Sequence, residues 1–301
     1  MVKNVRKKGL QGITKSTRRN TGHKGHTRNT GHIEYIGHTE HKGHITTVAN
    51  QKGGVGKTTT AHALVTGLTH KGYKALAVDT DPQGNLSYTM NADENAPGVY
   101  ELMKGRGDPA GFIQHTKQGD IIPGSLMLSG ADMEFTDEGR EYVLSEVLRT
   151  LRAFYDFIVI DSPPALGILT INALTAAHDI IIPLGADAYS LQGLSQLSAT
   201  VGKVKEHCNP SLRIAGLLVT RYSGRSILSQ ELKETIEGKA ARAVGAVVFQ
   251  SVIREGIAVK EAQTQQASLY AAAPKSNAAA DYMAFIDEFL KGTPNHAQKN
   301  I

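Results

Sequence analysis

One short segment combines glycines, lysines and threonines in a spacing that suits phosphate chemistry. Lys52-Gly53-Gly54-Val55-Gly56-Lys57-Thr58-Thr59 follows an apolar run and opens a stretch with helical periodicity. Glycines let the backbone curl so that its N–H groups surround phosphate oxygens, and a helix N-terminus adds partial positive charge. We therefore expect Lys57 to contact the terminal phosphates of a nucleotide and the Thr58 hydroxyl to ligate Mg²⁺.

The segment departs from the usual phosphate-binding pattern at one position. That pattern, G-x-x-x-x-G-K-[ST], requires a glycine five residues before Gly56, where this chain has Gln51. The turn also contains a second lysine, Lys52. A turn of this composition could be an ordinary loop, but its position between a predicted strand and a predicted helix favours phosphate binding.

Two acidic segments follow other apolar runs. Asp79 and Asp81 come after the second run, and Asp161 ends a third run and precedes Ser-Pro-Pro. The carboxyl ends of parallel strands form the ligand-binding edge of α/β sheets. One carboxylate of the first pair could orient the attacking water while the other supports Mg²⁺, and Asp161 could hold Mg²⁺ through water. Turns rich in aspartate or proline also close buried strands without any chemistry, but beside a phosphate-binding segment we favour metal and water roles.

The elements that must position these residues alternate along the chain. Short apolar runs interleave with segments of helical period, which is typical of stacked β-α-β units. We predict an α/β fold with a doubly wound, mostly parallel sheet flanked by helices. Strands are predicted at 45–49, 75–78, 157–160, 180–182, 214–219 and 247–249, and helices near 61–68, 141–154, 191–206, 227–237 and 281–290.

Residues 52–59 resemble the deviant P-loop of the ParA/MinD ATPases. The resemblance extends from about residue 45 to residue 290 and includes the segments 130–134 and 190–194. It implies that Lys52 reaches across a dimer interface to the partner's ATP, and that Asp81 is tied to hydrolysis. The expected catalytic residues are Lys52, Lys57 and Asp81, the expected ATP contacts are Lys52, Gly53, Gly54, Val55, Gly56, Lys57, Thr58 and Thr59, and the expected Mg²⁺ ligands are Thr58, Asp79 and Asp161.

The resemblance also implies a function set by what the ATP-bound homodimer binds. ParA-like members bind double-stranded DNA without sequence preference and respond to a ParB-type centromere-binding protein, whereas MinD-like members bind membranes through an amphipathic C-terminal helix. The chain after residue 290 has neither a basic nor a bulky apolar face, so no membrane partner is expected. We expect a cytoplasmic, nucleoid-associated partitioning ATPase with slow intrinsic turnover. The alternative is a MinD-like or other positioning ATPase of the family that does not use DNA.

Three basic residues are the predicted DNA contacts. Segment 221–226 resembles a family segment whose last arginine contributes to the DNA-binding surface, and that arginine corresponds to Arg225. A second family position falls at Ala258, where an arginine is often found. Arg254 or Lys260 could replace it, although surface arginines and lysines are usually just solvated.

Charge and composition divide the chain into three parts. Residues 1–44 hold ten Lys/Arg and two Glu, and from Gly25 a Gly-His pair recurs with a period of six residues. This basic extension could bind a metal through its histidines or DNA through its lysines and arginines, but its low apolar content favours a disordered segment. Residues 45–291 are predicted to form one ATPase domain and residues 292–301 a polar tail.

Overall fold

Eight strands build the central sheet. The structure, a computed structural model, describes residues 43–185 and 190–293, so most of the predicted extension and of the predicted tail lies outside the described residues. The strands are β1 (His44–Val48), β2 (Ala75–Asp79), β3 (Gln114–Thr116), β4 (Gly119–Ile122), β5 (Phe157–Asp161), β6 (Asp179–Gly185), β7 (Arg213–Tyr222) and β8 (Val248–Arg254).

The strand order brings the acidic strand ends together. The order is β3-β4-β2-β5-β1-β6-β7-β8, and every pairing is parallel except that of β3 with β4. β1 therefore lies near the centre, between β5 and β6. Asp79 at the end of β2 lies directly opposite Asp161 at the end of β5. The predicted doubly wound, mostly parallel α/β fold is confirmed.

Helices cover both faces of this sheet. The longest are α1, α7 and α12, and one π-helical turn (Ile236–Ala240) joins α8 to α9. The helices are α1 (Lys57–His70), α2 (Asn85–Thr89), α3 (Val99–Met103), α4 (Ala131–Glu134), α5 (Val143–Leu151), α6 (Ile168–Ala176), α7 (Ser190–His207), α8 (Ile227–Thr235), α9 (Ala241–Val244), α10 (Ile257–Thr264), α11 (Leu269–Ala272) and α12 (Asn277–Gly292).

The buried strands of the sheet contribute to two hydrophobic cores, because successive side chains of a strand point to opposite faces of the sheet. On β5, Phe157 and Val159 join the core that contains α1 and α12, whereas Ile158 and Ile160 join the core that contains α5, α6 and α7. Strands that are buried on both faces need apolar residues at nearly every position. This burial explains why the runs were recognisable in the sequence.

Some elements were not predicted. The hairpin β3–β4 is short and largely polar, so it gives no apolar run. Helix α10 buries only Ala262 fully and therefore has no clear apolar stripe. The helix predicted from residue 141 begins as a 3₁₀ turn at Arg140–Tyr142 and becomes α-helical at Val143.

The described chain begins with a tightly held glycine. The Gly43 N–H donates to the Arg152 carbonyl oxygen at 2.8 Å, and Arg152 Nε donates to the Gly43 carbonyl oxygen at 2.8 Å. A Cβ at Gly43 would lie 2.2 Å from the Tyr155 carbonyl oxygen. His44 follows as the first residue of β1, and its Nε2 lies 2.7 Å from Asp179 Oδ2. The strand thus begins one residue before its predicted start, and these contacts hold the last Gly-His pair in place.

Candidate functional site

The glycine-rich loop, residues 52–57, connects β1 to α1 and leaves an open concave surface. Gly54 and Gly56 adopt left-handed conformations with φ of 73° and 85°, which favour glycine. A Cβ added at Gly53 or Gly54 would meet nothing within 4 Å, so the space above the loop is free for a ligand. Helix α1 begins at Lys57, and the unpaired N–H groups of its first turn lie beside this space.

Residues from β7 hold the loop from the side. The Thr220 hydroxyl donates to the Val55 carbonyl oxygen at 2.8 Å, and Arg221 Nη1 donates to the Gly54 carbonyl oxygen at 3.3 Å. Arg221 has a φ of 52°, which is uncommon for a residue with a side chain. These contacts fix the curvature of the loop, and neither residue was predicted to belong to the site.

The two lysines of the loop occupy different environments. Lys57 is buried, and its Nζ donates to the Lys52 carbonyl oxygen at 3.0 Å. Burial lowers the pKa of Lys57, while the carboxylates of Asp161 and Asp81 oppose that shift. Lys52 is partly exposed, and its backbone N–H donates to Asn50 Oδ1 at 3.0 Å. Lys57 is therefore buried within the site, whereas Lys52 is partly exposed.

Asp161 places a buried, unpartnered carboxylate beneath this loop. The residue is fully buried, and neither carboxylate oxygen has a hydrogen-bond partner within the part of the chain that the structure describes. Burial and the neighbouring Asp79 carboxylate raise the pKa of Asp161 well above its usual range, an effect that the nearby Thr58 hydroxyl and Lys57 ammonium only partly offset. A buried carboxylate of this kind is costly unless a cation compensates it. Asp161 and the Thr58 hydroxyl together therefore fit a bound Mg²⁺ ion.

Asp79 and Asp81 differ in how their oxygens are used. Asp79 is fully buried and accepts three hydrogen bonds, one from the Asp81 N–H and two from Ser87. Burial raises the pKa of Asp79 to about 6, and the bonds from Ser87 oppose that rise. Asp81 lines the open cleft, and one of its oxygens accepts from the Gln83 N–H at 3.0 Å. Both Asp79 oxygens are therefore engaged within the protein, while Asp81 faces the ligand space.

A cleft of about 900 Å³ extends from the glycine-rich loop to α10. Its far wall includes residues that sequence reasoning missed, beside the predicted Lys260. Gln263 of α10 donates through Nε2 to the Thr59 hydroxyl at 3.1 Å, which ties this wall to α1. The additional lining residues include Tyr88, Ile253, Glu255, Val259 and Tyr282.

The three predicted DNA contacts are not equivalent. Arg225 is exposed in the loop between β7 and α8. Arg254 forms a two-pronged ion pair with Asp281, with Nη2–Oδ1 at 2.6 Å and Nε–Oδ2 at 2.9 Å, so its charge is compensated. Lys260 is exposed on α10 and lines the cleft. Arg225 and Lys260 are thus available to an external anion in a way that Arg254 is not.

Comparison with known proteins identifies the family. Residues 43–214 match a family model described as an AAA domain. The chromosome-partitioning ATPase Soj of Thermus thermophilus is 37% identical over 81% of this chain and 94% of its own length. The chromosome partitioning protein ParA of Myxococcus xanthus is 34% identical over 84% of this chain and 90% of its own length. This chain belongs to the ParA/Soj family of partitioning ATPases.

Solved structures extend the comparison to bound nucleotide. The ATP complex of a McdA variant from Cyanothece superposes with a TM-score of 0.74 at 26% identity and covers 85% of this chain and 99% of that protein. A Mycobacterium smegmatis cobyrinic acid a,c-diamide synthase with bound ADP and magnesium gives a TM-score of 0.71 at 33% identity over 81% of this chain and 93% of that protein. The ParA/Soj chain is accordingly an ATPase with ATP and Mg²⁺ as cofactors. In the described part of the chain, no helix has the length and apolar character needed to span a bilayer.

Proposed function

We propose that this ParA/Soj ATPase is a DNA-partitioning switch in which ATP binding joins two copies and hydrolysis separates them. The observation that carries this proposal is the buried Asp161 carboxylate, which has no hydrogen-bond partner among the described residues and lies close to Lys57 beneath an open glycine-rich loop. This arrangement suits a cation beside a phosphate chain, and Mg²⁺–ATP supplies both.

Each residue of the site has a role in this proposal. The N–H groups of residues 53–59 and the Lys57 ammonium bind the phosphates, and Thr58 and Asp161 hold Mg²⁺, Asp161 through water. A Mg²⁺ ion held by these residues would supply neutralisation of the phosphate charge during hydrolysis. Asp81 orients the attacking water from its place on the cleft wall.

Lys52 extends the site to a second subunit. It belongs to the glycine-rich loop and is partly exposed, and a long cationic side chain there could reach a neighbouring nucleotide. Because this contact needs both ATP and a second copy, dimerisation would depend on nucleotide. Slow intrinsic hydrolysis would keep the dimer assembled until a ParB-type partner accelerates turnover.

Phosphate contacts from Arg225 and Lys260 would hold the dimer on DNA, whatever its sequence. Two copies double the number of basic residues, so DNA affinity rises when ATP joins them. The Arg254–Asp281 ion pair weakens the case for Arg254 as a DNA contact, and this weighs toward the alternative of a MinD-like or regulatory ATPase that does not use DNA.

The test measures binding of the full chain to arbitrary DNA duplexes with ATP, ADP or no nucleotide. We expect salt-sensitive binding with ATP alone, its loss in Lys57→Ala, and a decrease of about 1 in the salt slope for Arg225→Ala. Arg149→Ala, at an exposed position of α5, is the matched control. A chain that starts at residue 41 should behave alike, because binding by the basic extension would not require ATP. An ATP-bound dimer that ignores DNA would favour the alternative.

A further inference from the structure

A small hydrogen-bonded network surrounds the segment that carries Asp81. The Asp81 N–H donates to Asp79 Oδ1 at 3.1 Å. The other oxygen of the Asp79 carboxylate accepts from both the N–H and the hydroxyl of Ser87, at 2.8 Å and 2.7 Å. Ser87 lies on α2, so Asp79 connects the end of β2 and the Asp81 backbone to that helix.

The Ser87 hydroxyl acts as both a hydrogen-bond donor and a hydrogen-bond acceptor. Its proton goes to Asp79, and its oxygen accepts from the Gly124 N–H at 2.9 Å. Ser87 is fully buried, so water does not replace either partner. The hydroxyl therefore links three elements: the end of β2, helix α2 and the loop that follows β4.

Gly124, whose N–H donates to the Ser87 hydroxyl, lies too close to the Asp79–Asp81 backbone to tolerate a side chain. A Cβ at Gly124 would lie 2.7 Å from the Asp79 carbonyl oxygen and 3.0 Å from the Asp81 carbonyl oxygen. The backbone of Gly124 thus lies directly against the segment from Asp79 to Asp81. A hydroxyl that holds Gly124 in this place also limits how far the Asp81 backbone can move.

We propose that Ser87 is a positioning residue for ATP hydrolysis, holding the Asp81 carboxylate at the cleft wall through Asp79 and Gly124. This inference rests on the proposed role of Asp81. Ser87 is absent from the cleft lining, whereas Asp81 belongs to it. Its effect should therefore fall on the rate of the chemical step and not on nucleotide affinity, because the glycine-rich loop and Lys57 are held by other contacts.

The test compares steady-state ATP hydrolysis by the full chain and by Ser87→Ala. We expect kcat to fall about tenfold or more and KM for ATP to stay within about twofold, because small displacements of a catalytic group have large effects on rate. Thr66→Val is the matched control, since it also removes one buried hydroxyl, which donates to the His62 carbonyl oxygen at 2.7 Å within α1. It should keep the wild-type kcat.

A folded Ser87→Ala variant whose kcat lies within about twofold of wild type would overturn the proposal. If this variant does not fold, Ser87→Cys, which is close in size and a weak donor, is judged by the same split between kcat and KM. If neither variant folds, Ser87 acts only in folding and the proposal is wrong. Asp81→Ala, measured in parallel, separates the role of Asp81 from that of Ser87. Wild-type hydrolysis by Asp81→Ala would refute the role of Asp81 in hydrolysis. If Asp81→Ala is inactive and Ser87→Ala is active, only the role of Ser87 is refuted.

Discussion

Two buried aspartates lie at opposite ends of the parallel strands, Asp179 at the start of β6 and Asp161 at the end of β5. Their surroundings differ. Asp179 lies 2.7 Å from His44 Nε2 and 2.7 Å from Arg213 Nη2. Asp161 is equally buried, but neither of its oxygens forms a geometrically defined hydrogen bond among the residues that the structure describes, and the nearby Thr58 hydroxyl and Lys57 ammonium offset its burial only in part. Removal of the charge at Asp179 should therefore destabilise the protein, whereas removal of the charge at Asp161 should stabilise the metal-free protein.

Asp161→Asn should separate metal binding from folding. The amide keeps the size of the side chain without its charge, so Tm of the metal-free protein should rise by about 2–5 °C. The Mg²⁺ concentration for half-maximal ATPase activity should rise about tenfold or more. Thermal unfolding and a Mg²⁺ titration of activity measure the two effects.

Asp179→Asn is the control for this prediction. It should lower Tm because it weakens the pairs with His44 and Arg213, and it should leave the Mg²⁺ dependence unchanged. Equal changes of Tm in both variants would contradict the assignment of Asp161 to the metal site.

The sequence pointed to the proposed site residues more readily than to the residues that support them. Lys57 and Asp161 were recognisable because phosphate chemistry requires a lysine at the end of a glycine-rich turn and Mg²⁺ chemistry requires an acid at the end of an apolar strand. The shared engagement of Asp79 by Ser87 and Asp81 depends on tertiary contacts that no local pattern encodes. The same holds for Arg254, whose partner Asp281 lies 27 residues further along the chain.

Helix α1 begins at Lys57, the last residue of the glycine-rich loop, and packs against α12. Gly67 lies at this contact, where a Cβ would come within 2.3 Å of Ile286 Cδ1 and 2.8 Å of the Tyr270 hydroxyl oxygen. Gly202 lies on α7, where a Cβ would meet nothing within 4 Å. These two helical glycines therefore have different reasons for their presence.

Gly67→Ala and Gly202→Ala should change stability in opposite directions. Alanine favours a helix over glycine by about 1 kcal/mol, so Gly202→Ala should be stabilising. At Gly67 the overpacking against Ile286 should outweigh that gain and destabilise by about 1–3 kcal/mol. Urea unfolding of both variants measures the difference, and stabilisation by Gly67→Ala would show that α12 can move away from α1.

Element prediction succeeded where burial on both sheet faces gave apolar runs, as for β1, β2 and β5. It failed for β3 and β4, which are short and largely polar, and for α10, which is only partly buried. Because α10 forms the far wall of the cleft, the sequence indicated where phosphates bind but not the full extent of the cavity.

Protons and Mg²⁺ compete for the buried Asp161 carboxylate, which lies opposite the buried Asp79 carboxylate. Burial raises the pKa of Asp79 to about 6 and that of Asp161 well above its usual range, whereas both ionise near pH 4 in an unfolded chain. The folded metal-free protein then binds more protons than the unfolded chain above about pH 4. The stability contributed by these groups is complete below that pH. The part that comes from Asp79 is lost as the pH rises through about 6, and the part that comes from Asp161 is lost as the pH rises through its own raised pKa.

Stabilisation by Mg²⁺ with a non-hydrolysable ATP analogue should consequently increase with pH. Metal binding requires ionised carboxylates, so the rise in Tm on adding the ligand should be larger at pH 8 than at pH 5.5. In Asp161→Asn this pH dependence should be smaller. Because the nucleotide titrates equally in both experiments, the difference between the two proteins reports on Asp161 alone. A rise in Tm that does not change with pH in the wild-type protein would contradict the predicted competition.

The contact between Gly43 and Arg152 sets a limit on where the chain can be shortened. A protease site or affinity tag that places any other residue at position 43 would bring a side chain against the Tyr155 carbonyl oxygen. A protein that starts at Ile45 would lose both hydrogen bonds to Arg152 and the pairing of His44 with Asp179. Shortened versions used to study the basic extension should therefore begin before Gly43, so that any loss of function can be attributed to the extension and not to a loosened first strand.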